Sequence, residues 1–250
     1  EVAKEIRGIS STKKTQADAL YYKCLIETSE IALAISELEG RISELENLPR
    51  IQEGDDGDLL LMNRFGVALM QNNNPEYYNR AHKIFQRVEK EYMRRGFQKT
   101  TSALLNQLNL AQLETKAKGL GNPTQRLLKA IRVIREKELD SWLETSFFYH
   151  ALAQAYHYHE FNCEEDAVEW YRKALQQRKI QFGELLPSSL IIKAELALLL
   201  FNIGEAKEAT REAEEYLSFV QGKKSDHRAT DLEGYGAILQ KELKNNVMKK

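Results

Sequence analysis

Cysteine, proline and glycine are scarce in this sequence, and each scarcity excludes a class of protein. The 250 residues include two cysteines, Cys24 and Cys163, which lie far apart. This pattern predicts neither a disulfide framework nor a CxxC metal or redox site, and a reducing, cytoplasmic location is expected. Four prolines and thirteen glycines among 42% hydrophobic residues favour a folded chain with a sizeable core.

The sequence also lacks long apolar runs and an excess of either charge. Its longest apolar candidate, residues 185–201, is broken by Pro187, Lys193 and Glu195, so we expect a soluble chain that does not enter the membrane. The net charge is −1, so the chain lacks the overall positive charge that is typical of nucleic-acid-binding proteins. The opening letters E-V-A-K-E-I contain no signal peptide, and we expect a segment of a longer protein or a processed chain.

The N-terminal part predicts one long helix. Residues 1–15 are polar and unpatterned, which favours a frayed arm. Apolar residues then recur at spacings of 4, 3, 4 and 3 over residues 31–45, so residues 16–47 are expected to be helical up to Leu48-Pro49. This seam predicts packing against the rest of the chain, with self-association through a coiled coil as the bolder alternative. The acidic stretch 51–58 completes a predicted segment 16–58.

Beyond Asp58 the pattern predicts only helices, because 3.6-residue periodicity recurs and strand-like alternation is absent. Helix breaks are expected at 71–75, near Gly96, at 119–123, 139–141, 161–164, 183–187, at Gly204 and at 221–225. These breaks define about four helix pairs over residues 59–226 and a capping helix in 227–250.

A repeat frame follows from the small residues of these helices. In the second helix of each pair a small residue is followed at +4 and +7 by packing residues, and the anchors Ala81, Thr124, Ala167 and Ala209 are spaced 43, 43 and 42 residues apart. In the first helices the anchors are Gly66, Ala111, Ala153 and Ala197. Small residues allow helix backbones to approach, so stacked pairs are predicted. Phe85, Leu128, Tyr171 and Tyr216 are expected to fill the space beside the anchors.

These residues resemble tetratricopeptide repeats, or TPRs. The resemblance is clearest in L-A-L-L-L-F-N-I-G-E-A-K-E-A, residues 196–209, and the period near 43 is similar to the long-helix variety of kinesin light chains, as in A-L-Q-Q-R-K-I-Q-F-G over 174–183. HEAT and armadillo repeats have a similar period and stay open as alternatives. The resemblance implies an all-α, right-handed superhelical solenoid of about four antiparallel helix pairs with extra terminal helices.

The resemblance also implies a concave face lined by the first helices, where a peptide or helix of a partner protein would bind. The side chains at the inward-facing positions would be Asn63, Arg64, Asn109, Gln112, His150, Gln154, His157 and Glu195. Amide groups suit this role because they donate to and accept from a peptide backbone. Ordinary solvated positions are the alternative interpretation.

The remaining groups of polar and charged residues do not favour a metal site, a catalytic site or an RNA-binding site. His150, His157, His159 and Cys163 cannot converge on one helix, so no metal and no cofactor are expected. No catalytic motif or phosphate-binding loop is present, which predicts that the chain is not an enzyme. Basic residues from Arg80 to Lys99, interleaved with Phe85, Tyr92 and Phe97, have the composition of an RNA-binding patch, a minority interpretation given the balanced charge.

Two functions follow from the sequence. The first is a non-catalytic adaptor or scaffold that binds a protein or peptide partner in the concave groove. The alternative is a regulatory or sensor region of a larger signalling protein or protease, in which the repeats bind an effector or restrain a catalytic domain. Trp170 lies outside the repeat frame and is either a packing contact or an exposed anchor for a partner.

Overall fold

A computed structural model of the chain describes residues 11–48, 51, 56–160, 162–182, 187–222 and 230–247. All regular secondary structure in these ranges is α-helical. The helices are α1 (Ser11–Glu27), α2 (Ile31–Asn47), α3 (Asp56–Gln71), α4 (Pro75–Arg94), α5 (Thr101–Lys116), α6 (Pro123–Glu136), α7 (Thr145–Tyr158), α8 (Glu164–Phe182), α9 (Pro187–Asn202), α10 (Ala206–Gly222) and α11 (Thr230–Val247). The prediction of an all-α helical-repeat fold is confirmed.

Local sequence signals set the helix ends. The Asn74 side chain accepts a hydrogen bond from the backbone N–H of Glu76 at 3.0 Å, ahead of Pro75 in the first turn of α4. Asn122 caps α6 in the same way before Pro123, by accepting from the N–H of Gln125 at 2.8 Å. Proline fits the first helical turn because its missing N–H has no partner there. The Asn-Pro pairs therefore begin the second helix of two successive pairs.

Packing divides the chain into two compact units, Glu1–Arg126 and Leu127–Lys250. In the first unit α3 packs on α4 as a helix pair, and in the second unit α7 packs on α8 and α9 on α10. The partners of each pair follow one another through short connections, so they run antiparallel. Each pair buries an apolar face that neither helix could bury alone.

The predicted small anchors lie where helices approach. Ala81, Ala111, Ala153, Ala167, Ala197 and Ala209 are fully buried. A Cβ atom added to Gly66 would come within 2.7 Å of the Phe85 ring, which shows the close approach of α3 and α4 directly. The fillers Phe85, Tyr171 and Tyr216 are buried as predicted.

The prediction for Leu128 is wrong. Leu128 is 39% exposed, whereas its neighbour Leu127 is fully buried. Most of the buried positions of α4 correspond to buried positions of α6 at an offset of 42 residues, so Pro123 rather than Thr124 stands at the anchor position. The spacings along Ala81, Pro123, Ala167 and Ala209 are then 42, 44 and 42 residues.

The predicted long helix 16–47 is two helices. The chain turns at residues 28–30, where Ser29 has a positive φ of 66° and Glu30 donates its N–H to the carbonyl of Leu25 at 2.8 Å. Both α1 and α2 pack on α3. The seam residues Leu38, Ile42 and Leu45 are buried in the core of the first unit, so the apolar seam packs within the chain.

The edges of the predicted segments fall partly outside the described ranges. Of the polar arm 1–15, residues 1–10 lie outside them, and residues 11–15 form the start of α1 instead of a frayed arm. Of the acidic link 51–58, residues 52–55 lie outside them, and Asp56 begins α3. The start of the predicted capping segment 227–250 also lies outside, but α11 packs on both α9 and α10, with Leu239 fully buried.

Candidate functional site

In the first unit, α3 and α5 bring together two of the predicted polar residues. Asn63 on α3 is buried, and its amide donates to Oδ1 of Asn106 at 2.9 Å and accepts from Nδ2 of Asn109 at 3.1 Å. Asn106 in turn donates to the carbonyl oxygen of Phe85 at 2.9 Å. Asn63 therefore joins two helices as part of the fold, and only Asn109 of this group is half-exposed.

Two further predicted residues of this unit keep their hydrogen-bonding groups unused. Arg64 and Gln112 are half-buried, and neither forms a hydrogen bond or ion pair with the residues that the structure describes. Burial lowers the pKa of the Arg64 guanidinium, and the negative charge of Glu27 acts in the opposite direction. Arg64, Asn109 and Gln112 are named here the α3–α5 polar surface.

In the second unit, α7 and α9 bring together three predicted residues around one carboxylate. Glu195 is buried, and its carboxylate lies 2.7 Å from Nε2 of His150 and accepts from Nε2 of Gln154 at 3.0 Å. Tyr235 of α11 donates its hydroxyl to the same carboxylate at 2.9 Å. Burial alone would raise the pKa of Glu195, but the hydrogen bonds from His150, Gln154 and Tyr235 lower it below its ordinary value.

His157 lies beside this network. Its Nδ1 is 3.3 Å from the Tyr171 hydroxyl, and its ring stacks on the exposed Tyr158 at 4.1 Å between centroids. Burial lowers the pKa of His157, although Glu195 and Glu164 act in the opposite direction. The imidazole is therefore held in its neutral form near neutral pH.

Sequence reasoning missed Asn106 and Tyr235. Asn106 lies 43 residues after Asn63, so the repeat spacing was a signal that could have found it. For Tyr235 the sequence offered only an aromatic residue in the predicted capping segment, and the contact depends on how α11 packs on α9. In the second unit, α11 thus contacts Glu195, one of the residues that were predicted to line the groove.

The histidines and cysteine weighed as metal ligands are not assembled. His150 and His157 bond to Glu195 and Tyr171, as described above. Among the described residues, no group of three or more histidine, cysteine, aspartate or glutamate side chains could hold a metal ion.

The arginines of α4 and of its C-terminal cap bind α2 and the two ends of the connection from α2 to α3. Arg80 pairs with Glu39 and Glu46 at 2.8 Å each. Arg87 donates to the carbonyl oxygens of Glu46 and Leu48. Arg95 pairs with Asp56 at 3.1 Å. With Phe85 and Tyr92 buried as well, these contacts are structural and favour the non-RNA interpretation.

Trp170 is a packing contact. The side chain is 9% exposed, its ring lies 5.5 Å from that of Tyr149, and the Lys173 ammonium sits 4.2 Å above it. The alternative of an exposed anchor is thereby removed.

Searches of solved structures found the same architecture in TPR-like repeat proteins. One is a Podosopora anserina protein assigned as a kinesin light chain with nearly identical TPR-like repeats. It is 15% identical, with a TM-score of 0.64, and the match covers 87% of this chain and 100% of that chain. A single-substitution variant of it is 16% identical, with a TM-score of 0.66 and the same coverage.

At these identities the similarity shows the fold, and the chain has the fold of TPR-like repeats. No family model matches the chain, and no curated protein matches it significantly. Within the described ranges, none of the helices combines the length and apolar character needed to cross a bilayer.

Proposed function

We propose that the chain is a non-catalytic protein-interaction module that binds a peptide or helix of a partner protein, and that the α3–α5 polar surface is the centre of its binding site. Stacked helix pairs commonly present their first helices to partners. We also propose that residues 59–226 act as the repeat array and that 227–250 cap it.

The observation that carries this proposal is the unused hydrogen-bonding capacity of the α3–α5 polar surface. The amide of Gln112 and the guanidinium of Arg64 bond to nothing in the described part of the chain. Polar groups of this kind exchange their hydrogen bonds with water for directed hydrogen bonds to a partner, a net gain of about 0.5–1.5 kcal/mol for each bond. The α7–α9 residues His150, Gln154 and Glu195 are already bonded to one another, so they contribute less to the proposed site.

A pull-down tests the proposal. The double variant Arg64→Ala/Gln112→Ala should lose a partner that the wild-type chain retains from a lysate of the source cells. The matched control is Lys83→Ala/Gln86→Ala, which likewise removes one basic residue and one glutamine, from exposed positions of α4. The control should retain that partner.

Melting curves of both variants show whether the fold persists. Equal recovery of every wild-type partner by the Arg64→Ala/Gln112→Ala variant would remove the α3–α5 polar surface from the proposed site. Equal loss in both variants would mean that the loss is not specific to the α3–α5 polar surface, and it would contradict the proposal as well.

A further inference from the structure

A polar cavity of about 460 Å³ lies between three successive helices of the second unit. Cavities of this size hold small molecules. Its lining belongs to the described parts of α8, α9 and α10, and α9 packs on both of the other helices. Among the lining residues, Gln176, Lys179 and Glu215 are exposed, whereas Ser189 and Glu212 are buried. The cavity therefore opens to solvent and reaches inward between the helices.

Positive and negative side chains line this cavity from different helices. Helix α8 contributes Gln176 and Lys179, and α10 contributes Glu212 and Glu215. Lys193 of α9 pairs with both carboxylates, and its Nζ lies 3.7 Å from the carboxylate of Glu212. The two lysines and the two glutamates leave the lining without a net charge. A ligand that matches this lining is polar, carries both signs of charge and is neutral as a whole.

The lining also has hydrogen-bonding groups that the fold does not use. Ser189 is 3% exposed, and its Oγ forms no hydrogen bond. The amide of Gln176 forms none with the residues that the structure describes. A buried hydroxyl without a partner costs free energy, and a polar molecule in the cavity would supply that partner. A carboxylate has about four acceptor positions, so the bond from Lys193 leaves acceptor positions of Glu215 unused.

We propose that this cavity, the α8–α10 cavity, binds a free α-amino acid with an aliphatic side chain. The carboxylate of the ligand accepts hydrogen bonds from the Ser189 hydroxyl and the Gln176 amide, and it lies near the positive charge of Lys179. The ammonium group of the ligand donates to Glu215, and its side chain contacts Leu175, which is the apolar residue of the lining. This site belongs to the second unit and is independent of the α3–α5 polar surface.

Equilibrium dialysis of the full chain against radiolabelled L-leucine tests the site. Binding of leucine should saturate at a single molecule per chain. Two analogues, measured by competition with labelled leucine, separate the two charges of the ligand. N-acetyl-L-leucine lacks the ammonium group, and L-leucinamide lacks the carboxylate. Each analogue should bind about tenfold more weakly than leucine, which is the scale of one hydrogen bond to a charged group.

The analogues also define the results that contradict the proposal. If leucine shows no saturable binding, the site is overturned. If N-acetyl-leucine or leucinamide competes as well as leucine does, the cavity does not recognise a molecule with both charges, and its assignment to free amino acids is overturned.

Ser189→Ala tests whether the buried hydroxyl contacts the ligand. This variant should weaken leucine binding about tenfold. The matched control is Ser146→Ala, which removes another buried hydroxyl without a hydrogen bond, from a position of α7 outside the lining. The control should bind leucine as the wild type does. Without leucine, both variants should melt at the wild-type temperature or above it, because neither loses a hydrogen bond within the chain. A lower melting temperature of Ser189→Ala alone would show that this hydroxyl is already bonded within the chain, which removes it from the site.

Glu215→Gln tests the contact with the ammonium group. The variant should bind leucine more weakly and should leave the binding of N-acetyl-leucine unchanged, because only leucine carries the charge that Glu215 attracts. The matched control is Glu214→Gln, an exposed neighbour on α10 that does not line the cavity, and it should change neither binding constant. If Glu215→Gln weakens leucine and N-acetyl-leucine equally, or leaves leucine binding unchanged, the proposed orientation of the ligand is overturned.

Discussion

The contact between Gly66 and Phe85 is the clearest residue-scale determinant of the fold. An added Cβ would lie 2.7 Å from the ring of Phe85, and that ring is fully buried and cannot swing into solvent. Position 66 of α3 therefore requires a glycine, although the equivalent anchors of the other first helices are alanines and glycine is the weaker helix former.

Gly66→Ala should destabilise the protein. Overpacking a core costs about 1–3 kcal/mol, which outweighs the roughly 1 kcal/mol that alanine contributes to helix propensity. The matched control is Gly40→Ala in α2, where nothing lies within 4 Å of the added Cβ. The control should stabilise by about 0.5–1 kcal/mol. Urea unfolding measures both, and a stabilising Gly66→Ala would show that the approach of α3 to α4 is looser than described.

Ser29 is the residue that separates α1 from α2. A positive φ costs a non-glycine residue about 1–2 kcal/mol, so Ser29→Gly should raise the free energy of unfolding, by up to about 1 kcal/mol. Ser36→Gly, within α2, should lower it by about the same amount. If residues 16–47 instead formed one continuous helix, both substitutions would destabilise in thermal unfolding.

At the scale of helices, the asparagines of α3 and α5 fix one helix against the other. Asn106→Ala leaves the buried amide of Asn63 without its acceptor, and each unsatisfied buried polar group costs about 1–3 kcal/mol. Asn109→Ala should cost less, because Asn109 is half-exposed. A double-mutant cycle between Asn63→Ala and Asn106→Ala should show a coupling of about 0.5–3 kcal/mol. Additive effects would mean that the bond contributes nothing to packing.

The contacts among α7, α9 and α11 predict a dependence of stability on pH. His157 and Glu195 both have lowered pKa values in the folded chain. The stability contributed by His157 is complete above its ordinary pKa of 6.5 and is lost as pH falls through the lower folded value. The contribution of Glu195 is complete above 4.5 and is lost at still lower pH.

The free energy of unfolding, measured with urea from pH 8 to pH 3, should therefore fall below about pH 6.5. His157→Gln should reduce the upper part of this fall, and Glu195→Gln should reduce its lower part. Both variants retain the other residues that face this carboxylate or imidazole, which are His150, Tyr171, Tyr235 and Glu164. A wild-type curve that is flat from pH 6.5 to pH 4 would contradict the described network.

Periodicity predicted the elements well where small residues and turn signals coincide. Gly204 and the Asn-Pro pairs identify helix ends because each satisfies or avoids a particular backbone group. The turn at Ser29 was missed because it contains neither glycine nor proline, and the register of α6 was displaced by one residue because Thr124 looks like an anchor beside Pro123. The turn at Ser29 and the register of α6 both depend on tertiary packing, which cannot be read from a single sequence.

At the scale of the whole molecule, the helical-repeat class followed from composition and period, whereas the candidate site followed only in part. The sequence placed polar residues on the first helices correctly, but it could not show which of them bond to one another. Asn63, His150, Gln154 and Glu195 form hydrogen bonds within the chain, whereas Arg64 and Gln112 form none with the residues that the structure describes. That difference depends on tertiary contacts and changes the centre of the proposed site.

The central claim is that a partner protein binds at the α3–α5 polar surface. Hydrogen–deuterium exchange of the chain, alone and saturated with a partner recovered by the pull-down, tests it most directly. On binding, amide exchange should slow in peptides from α3 and α5. The exchange rate at the exposed positions of α4 should stay unchanged. Protection confined to α4, or to helices of the second unit, would contradict the claim.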